Sequence, residues 1–359
     1  PMKFLIFFSS LMTVLLSSRN IILENVSKEF YSFFLPWAPW FCGIVILCMV
    51  HGTGGFSKYI NFYLIMLAGV LTIPSGVLKR SFVCGVASCS VLVLTTLIAF
   101  DYAWHGLSAN FLGVNKNTLM GGVMLLSSTS VSSLLLRAKD QSNSLKSLAI
   151  VSFVMICFCI YITEVRTALL GMIGMAAVIF FRTFRRNRKV FYVVMVGLIL
   201  AVSALILSGR IGQGLSDIKL WLEGNSNTSW GIRLELWILS IKAFICKPLF
   251  GWGAHPFAEI VASGLAFPQD IGFVRHFHSD FFNMLCTGGL IGVLSWFGTI
   301  FLILKKFWKD TAMLMLVATI LLMGLSERYW FDMQEVLFLF ACLAVLLFKS
   351  RENKVDRCA

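Results

Sequence analysis

Eleven long blocks of apolar residues divide this chain, and they constrain its fold more than any other feature. The blocks are roughly 15–20 residues long, the length that a helix needs to cross the hydrocarbon core of a bilayer. Because backbone polar groups in lipid must form hydrogen bonds within their own segment, each block is predicted to be a helix. The sequence therefore predicts an all-α polytopic membrane protein with about 11–12 transmembrane helices. The blocks lie at 2–17, 31–50, 59–77, 82–100, 118–136, 147–163, 167–181, 190–208, 285–304, 311–326 and 334–348.

Composition excludes the other broad classes of protein. Hydrophobic residues make up 58% of the chain and charged residues only 13%, whereas a soluble domain carries about 25% charged residues. A soluble enzyme, a disordered chain and a collagen-like fibre are therefore excluded. The first apolar block, 2–17, has the length of a signal-peptide core. It lacks a convincing cleavage site and is interpreted as a retained anchor.

The placement of the charges predicts how the chain sits in the membrane. The net charge is +13, and five of the cations lie together at 182–189 between two apolar blocks. This pattern is typical of a short cytoplasmic loop that obeys the positive-inside rule. It favours contact with anionic membrane lipids over nucleic-acid binding. The alternation of spans then places three segments outside the cytoplasm: 101–117, the turn at 164–166 and the long segment 209–284. An odd number of spans puts the N-terminus outside as well, whereas a twelfth helix would put it inside.

Four parts follow along the chain. Residues 1–208 form about eight N-terminal spans, 209–284 one large extracytoplasmic loop, 285–348 three C-terminal spans, and 349–359 a cytoplasmic tail. The loop is long for a connection without function. Within it, 232–246 has apolar side chains at helical spacing and is predicted to be an amphipathic helix on the membrane surface.

Two arginines are candidates for binding an anion. Arg166 lies between two apolar blocks near the outer boundary, where its planar fork of donors would suit a phosphate group. The alternatives for Arg166 are an ion pair with Glu164 and contact with lipid headgroups. Arg233 begins the amphipathic helix, and a helix N-terminus itself attracts anions. The alternative for Arg233 is a plain surface charge, because Glu235, two residues away on a helix, diverges from it.

The densest group of ionisable residues directly precedes a span. It runs from Arg275 through His276, Phe277, His278 and Ser279 to Asp280. A histidine here suits general-base catalysis at neutral pH; the alternative is an interfacial histidine bonded to the backbone. The His-x-His pair resembles half of a metal site, but no carboxylate or third histidine follows at a suitable spacing. The prediction is therefore no metal and no cofactor.

Together these features resemble the O-antigen ligase/polymerase superfamily over roughly residues 147–348. Each matching element alone is degenerate, but their order around one long loop is specific. The elements are Thr163-Glu164-Val165-Arg166-Thr167-Ala168, then Arg233 to Trp237 with Pro248-Leu249-Phe250-Gly251-Trp252-Gly253, and finally His278-Ser279-Asp280-Phe281 with Gly288 to Gly292.

The resemblance implies a GT-C-like glycosyltransferase of the bacterial inner membrane with its active site facing the periplasm. Its activity would be metal-independent, inverting transfer of a polysaccharide from undecaprenyl diphosphate to a sugar hydroxyl of lipid A–core. By this resemblance Arg166 and Arg233 hold the diphosphate and His278 activates the acceptor. His276 is the alternative base, since it lies two residues before His278. Ser279 stands where asparagine is frequent in the family.

Secondary candidates and rival functions complete the expectations. Arg210 and Arg275 are secondary candidates for phosphate contact, and Glu327 is a candidate for orienting the histidine or an arginine. The nearest rival function is an O-antigen polymerase, which extends the lipid-linked glycan. A rival from another class is a lipid-linked glycan flippase, which would carry polar residues within many spans. Clustering of the charges in loops favours the enzyme.

Overall fold

The computed structural model describes residues 31–52, 57–73, 78–136, 142–183, 188–207, 209–265, 276–330 and 333–350. The regular secondary structure of the described residues is helical apart from one short antiparallel hairpin, in which Phe111 pairs with Val114. The elements are α1 (Tyr31–Phe34), a 3-10 turn (Leu35–Trp37), α2 (Ala38–His51), α3 (Ser57–Thr72), α4 (Arg80–His105), β1 (Asn110–Phe111), β2 (Val114–Asn115), α5 (Lys116–Ser132), a 3-10 turn (Ser133–Leu135), α6 (Asn143–Thr163), α7 (Arg166–Thr183), α8 (Arg188–Leu207), α9 (Arg210–Leu222), α10 (Ser229–Cys246), α11 (Pro256–Ala262), α12 (Asp280–Phe307), α13 (Thr311–Met323) and α14 (Gln334–Lys349).

The protein is an all-α polytopic membrane protein, as predicted. In the described residues, five helical stretches are long and apolar enough to cross a membrane. Shorter or less apolar helices coincide with the other predicted spans between 59–77 and 334–348. The block 2–17 lies outside the described residues. The count of about 11–12 spans stays a prediction. The five stretches are Tyr31–His51, Arg80–His105, Lys116–Leu135, Asn143–Thr163 and Asp280–Phe307.

Two central helices hold the bundle together. Helix α5 is buried along most of its length and packs against α4, α6 and α13, while α13 also packs against α7. The hydroxyl groups of α5 bond to its neighbours: Ser130 Oγ lies 2.6 Å from Ser88 Oγ of α4. Gly174 of α7 lies so close to α13 that an added Cβ would meet the carbonyl of Ala318 at 2.8 Å. Hydroxyls and small residues of this kind let helices associate where lipid removes the hydrophobic driving force.

Helix α12 is broken at Gly289, and the loop after α10 fills the break. Gly289 has φ 58° and ψ −151°, a conformation that glycine tolerates best. The free backbone groups around it bond to the segment 248–253: Leu290 N donates to Pro248 O at 2.8 Å, and Trp252 N donates to Cys286 O at 2.9 Å. Two of the sequence elements that carry the resemblance are therefore one hydrogen-bonded unit.

The long loop is mostly helical. It contains α9, α10 and α11, and α12 begins at Asp280, shortly before the predicted boundary at 285. The predicted amphipathic helix corresponds to α10, which buries Leu236 and Leu239 against α12 and leaves Ile241 and Ile245 exposed. Its position on the membrane surface stays a prediction. The loop has a small core of its own, formed by Leu236, Leu239, Ala243, Trp252, Ile260, Phe277 and Cys286.

Candidate active site

A buried carboxylate, Glu327, is the centre of the candidate site. It lies in the turn between α13 and α14 and is only 3% exposed. Nδ1 of His278 lies 3.3 Å from both of its oxygens. Nε2 of His276 and Nη2 of Arg233 each lie 3.8 Å from it. Segments far apart in the chain therefore place an arginine and two histidines around one acid.

The surroundings of Glu327 keep it ionised. Burial disfavours the charged carboxylate, but the hydrogen bond from His278 and the charges of His278, Arg233 and His276 together outweigh burial and lower the pKa of Glu327 to about 2. Asn117 Nδ2 and Arg328 N also donate to it, at 3.1 and 3.2 Å. Glu327 therefore carries a full negative charge at neutral pH and accepts hydrogen bonds only.

The backbone before α12 presents both histidines to Glu327. His278 adopts a left-handed conformation with φ 48°, which is uncommon for a residue other than glycine and is concentrated at functional sites. Between the histidines, Phe277 is fully buried and its carbonyl accepts from Trp237 Nε1 at 2.9 Å. The centres of the two imidazole rings lie 4.0 Å apart, and both rings lie beside Glu327. Anchoring of Phe277 thus turns His276 and His278 towards the site.

The two predicted arginines both border Trp230. The guanidinium carbon of Arg233 lies 5.7 Å from the Trp230 ring centre, within reach of a cation–π interaction. Arg166 approaches Gly214 of α9, where an added Cβ would lie 3.4 Å from Arg166 Nη1 and 3.2 Å from Trp230 Nε1. Arg166 begins α7, so it also lies at a helix N-terminus. The structure thus brings both arginines near Trp230.

A buried network connects α5 and α7 to Glu327. Thr167 Oγ1 lies 2.9 Å from the hydroxyl of Tyr329, which donates to the carbonyl of Asn117 at 3.0 Å. The side chain of the same Asn117 donates to Glu327. Tyr329 is fully buried, and burial raises the pKa of its phenol, so the phenol stays protonated as a donor. Asn117, Thr167 and Tyr329 therefore hold the turn that carries Glu327.

The site contains one group with the composition of a metal site. The ligand atoms of His276, His278 and Glu327 all lie within 4.8 Å of one another. The expectation that no carboxylate completes the His-x-His pair was therefore wrong. Glu327 follows the histidines by about fifty residues in the sequence but lies beside them in the fold. Arg233 fits such a site poorly, since its positive charge lies beside the same carboxylate and would repel a cation.

Two of the predicted site residues lie wholly or partly outside the described part of the structure. Arg275 lies outside the described residues, and Arg210 begins α9 with its side chain outside the described part. Sequence reasoning missed Asn117, Trp230 and Tyr329. The polar Asn115-Lys116-Asn117 run before an apolar block was an available signal for Asn117, but its partner Glu327 is 210 residues away.

The central part of the chain matches a known protein family. Residues 151–297 match the model of a family described as O-antigen ligase. Over this segment the chain is similar to the O-antigen ligase superfamily. The superfamily prediction is thereby confirmed, and the matched segment contains Arg166, Arg233, His276 and His278. Asn117 and Glu327 lie outside it.

A curated relative supports the same assignment. The chain is 24% identical over 220 residues to a protein of Escherichia coli (strain K12) named O-antigen ligase, covering 56% of this chain and 51% of that protein. The chain thus spans about half the length of this relative.

Proposed function

We propose that this protein is an O-antigen ligase. It transfers a polysaccharide from undecaprenyl diphosphate to a sugar hydroxyl of lipid A–core at the periplasmic face of the bacterial inner membrane. The observation that carries the proposal is the contact of one ionised, buried Glu327 with His278 on one side and Arg233 on the other. In this arrangement one carboxylate lies beside both the base for the acceptor hydroxyl and a cation for the donor diphosphate.

His278 serves as the general base in this mechanism. Because Glu327 is ionised, it accepts the hydrogen of His278 Nδ1, which lies 3.3 Å away. This tautomer leaves the lone pair on Nε2, which takes the proton from the acceptor hydroxyl. Glu327 then stabilises the imidazolium that forms, as the carboxylate of a catalytic triad does.

The arginines act on the donor. The acceptor oxygen forms a bond to the anomeric carbon as the bond from that carbon to the phosphate oxygen breaks. The electron pair leaves with undecaprenyl diphosphate, and attack from the opposite face inverts the anomeric centre. Arg166 and Arg233 bind the diphosphate and stabilise the charge that develops on it, since guanidinium groups form paired bonds to phosphate oxygens.

Charge placement supports the periplasmic orientation. Helices α7 and α12 both begin at the site and end in basic residues, Arg182 and the pair Lys305–Lys306. By the positive-inside rule these basic ends face the cytoplasm, which turns the site to the periplasm. Membrane lipids, the lipid-linked glycan and lipid A–core are the proposed partners, and a GT-C-like architecture is proposed for the fold.

The position of the charges also favours an enzyme over a flippase. A flippase would line a central cavity with polar groups inside several spans. Here Glu327, His276 and His278 lie in connections between helices. Arg166 is the first residue of α7, and Arg233 lies one turn into α10. This placement supports chemistry at one membrane face.

One transfer reaction tests the proposal against its nearest rival. The purified protein is incubated with undecaprenyl-diphosphate-linked glycan and lipid A–core, and the products are separated by size. A ligase converts lipid A–core into a lipopolysaccharide ladder. Growth of the lipid-linked chain with unmodified lipid A–core would instead identify a polymerase, and product from neither substrate would refute both.

A further inference from the structure

Asp280 connects the end of the histidine segment to the turn that carries Glu327. It is the first residue of α12, two residues after His278, and is only 1% exposed. Both carboxylate oxygens accept from the backbone N–H of Trp330, at 3.0 and 3.1 Å. Its own backbone N–H donates to the carbonyl of Gly324 at 2.7 Å. Asp280 therefore holds both ends of residues 324–330, and Glu327 lies at the middle of this segment.

The packing around Asp280 allows little movement. A side chain at Gly324 would collide with Oδ2 of Asp280, so this glycine permits the close approach of the two segments. On the other side of the turn, Tyr329 is bonded to Thr167 and to the backbone of Asn117. With both sides held, the position of the Glu327 carboxylate relative to His278 depends on the bonds that Asp280 makes.

A buried acid at a helix N-terminus has a simpler explanation, which is stabilisation of its own helix. The bonds of Asp280 go beyond that pattern, because both of its oxygens accept from Trp330 N–H in a distant segment. A charged group with this burial is costly unless it is hydrogen-bonded. The bonds it makes connect the two segments from which the proposed acid–base pair comes.

We propose that Asp280 is a positioning residue of the transfer reaction, which holds Glu327 at the distance where it orients His278. The proposal rests on the proposed function, in which Glu327 and His278 act together. Asp280 acts through Glu327 and touches neither substrate. It should therefore affect turnover without affecting the binding of the lipid-linked donor.

The test is a double-mutant cycle with Asp280→Asn and Glu327→Gln. In Asp280→Asn the amide turns an N–H towards the N–H of Trp330, so one bond is lost and the turn shifts. A displacement of about 1 Å at a catalytic group costs up to roughly 100-fold, so kcat per folded molecule should fall about 10- to 100-fold. Donor affinity, measured with lipid-linked glycan alone, should not change.

The double variant decides the question. If Asp280 acts through Glu327, the double variant should be no slower than Glu327→Gln alone, because the two changes disturb one interaction. Rate losses that multiply, or an unchanged kcat in Asp280→Asn, would overturn the proposal while leaving the ligase assignment intact. Absence of transfer by the unaltered protein would instead refute the proposed function.

A matched control comes from the opposite end of the bundle. Asp310 is also a buried acid at a helix N-terminus, and it accepts from Met313 N at 3.2 Å. Asp310→Asn should lower thermal stability but leave kcat per folded molecule unchanged. If Asp280→Asn does not accumulate as folded protein, Asp280→Ser enters the same cycle, since its smaller side chain fits the same space and removes the carboxylate from Trp330 N–H.

Discussion

The two ends of α13 each carry a buried acid beside an arginine, and the two clusters differ in geometry. At the N-terminal end, Asp310 binds Arg80 through two parallel hydrogen bonds of 3.0 Å. Arg80 also donates to the carbonyl of Leu347 at 2.7 Å. At the C-terminal end, Glu327 lies 3.8 Å from Arg233, which is longer than a direct hydrogen bond. The first cluster is a closed pair and the second an open one.

We expect this difference in geometry to separate a structural charge from a functional one. In the closed pair, Arg80 and Asp310 form a bidentate ion pair, which is the strongest geometry available to them. In the open cluster, one carboxylate faces an arginine and two histidines, whose side chains are between 16% and 25% exposed. Exposure does not separate the clusters, since the Arg80 side chain is 20% exposed, but the 3.8 Å separation leaves the Arg233 guanidinium without a direct hydrogen bond to Glu327, so that it can donate to an incoming anion. The closed cluster should therefore contribute to stability and the open cluster to turnover.

The largest effects are expected at the donor arginines. Arg166→Ala and Arg233→Ala should each abolish transfer, because the diphosphate loses its matched charge. Lysine at either position should rescue poorly, since a point charge cannot replace the planar fork of donors. Transfer of lipid-linked glycan to lipid A–core measures both effects. Full activity in both lysine variants would exclude paired bonding of the diphosphate.

The next largest effect is expected at the base. His278→Ala should lower turnover by about 10²–10⁴-fold while donor binding persists, because a general base contributes about this much. His276→Ala should cost much less, since in this assignment only His278 takes the acceptor proton. The two variants are compared side by side in transfer and in donor binding. If His276→Ala is inactive and His278→Ala is active, the base is His276. If both variants are active, neither histidine is the general base.

The pH dependence gives an independent check on the same histidine. The pKa of Glu327 is lowered to about 2, so this carboxylate stays ionised well below neutral pH. If the rate falls on acidification while Glu327 is still ionised, the loss is due to a group other than this carboxylate, as expected for an imidazole base that can no longer accept a proton. A rate that stays constant on acidification would argue against a histidine base.

A smaller effect on turnover, but a large one on stability, is expected at the closed pair. Arg80→Ala leaves the buried carboxylate of Asp310 without its arginine, and removal of one partner of a buried pair costs about 3–5 kcal/mol. The melting temperature in detergent should fall, while kcat per folded molecule should not change. A large loss of kcat without loss of stability would contradict the distinction between the two clusters.

The smallest effect is expected on chelation. His276, His278 and Glu327 have the composition of a metal site, but Arg233 beside the carboxylate disfavours a cation. Transfer should therefore continue in excess chelator. Loss of activity that a divalent ion restores would reassign the open cluster as a metal centre.

Helix positions followed from the sequence because the constraint on them is local. A segment in lipid must satisfy its own backbone hydrogen bonds, so an apolar block of sufficient length predicts a helix wherever it occurs. The blocks at 82–100 and 147–163 correspond to α4 and α6. The candidate residues Arg166, Arg233 and His278 were also predictable, because the reactivity of a side chain and its position next to an apolar block can be inferred from residue type and order.

The partners of those residues were decided by tertiary structure alone. Glu327 meets Asn117 across 210 positions of the chain and His278 across 49. Asp280 binds Trp330 across 50 positions, and the break at Gly289 is filled by the segment 248–253. No periodicity links residues so far apart, because such contacts depend on how several helices pack at once. The sequence by itself determined which helices form and which side chains are candidates for the site, and packing determined which acid lies beside them.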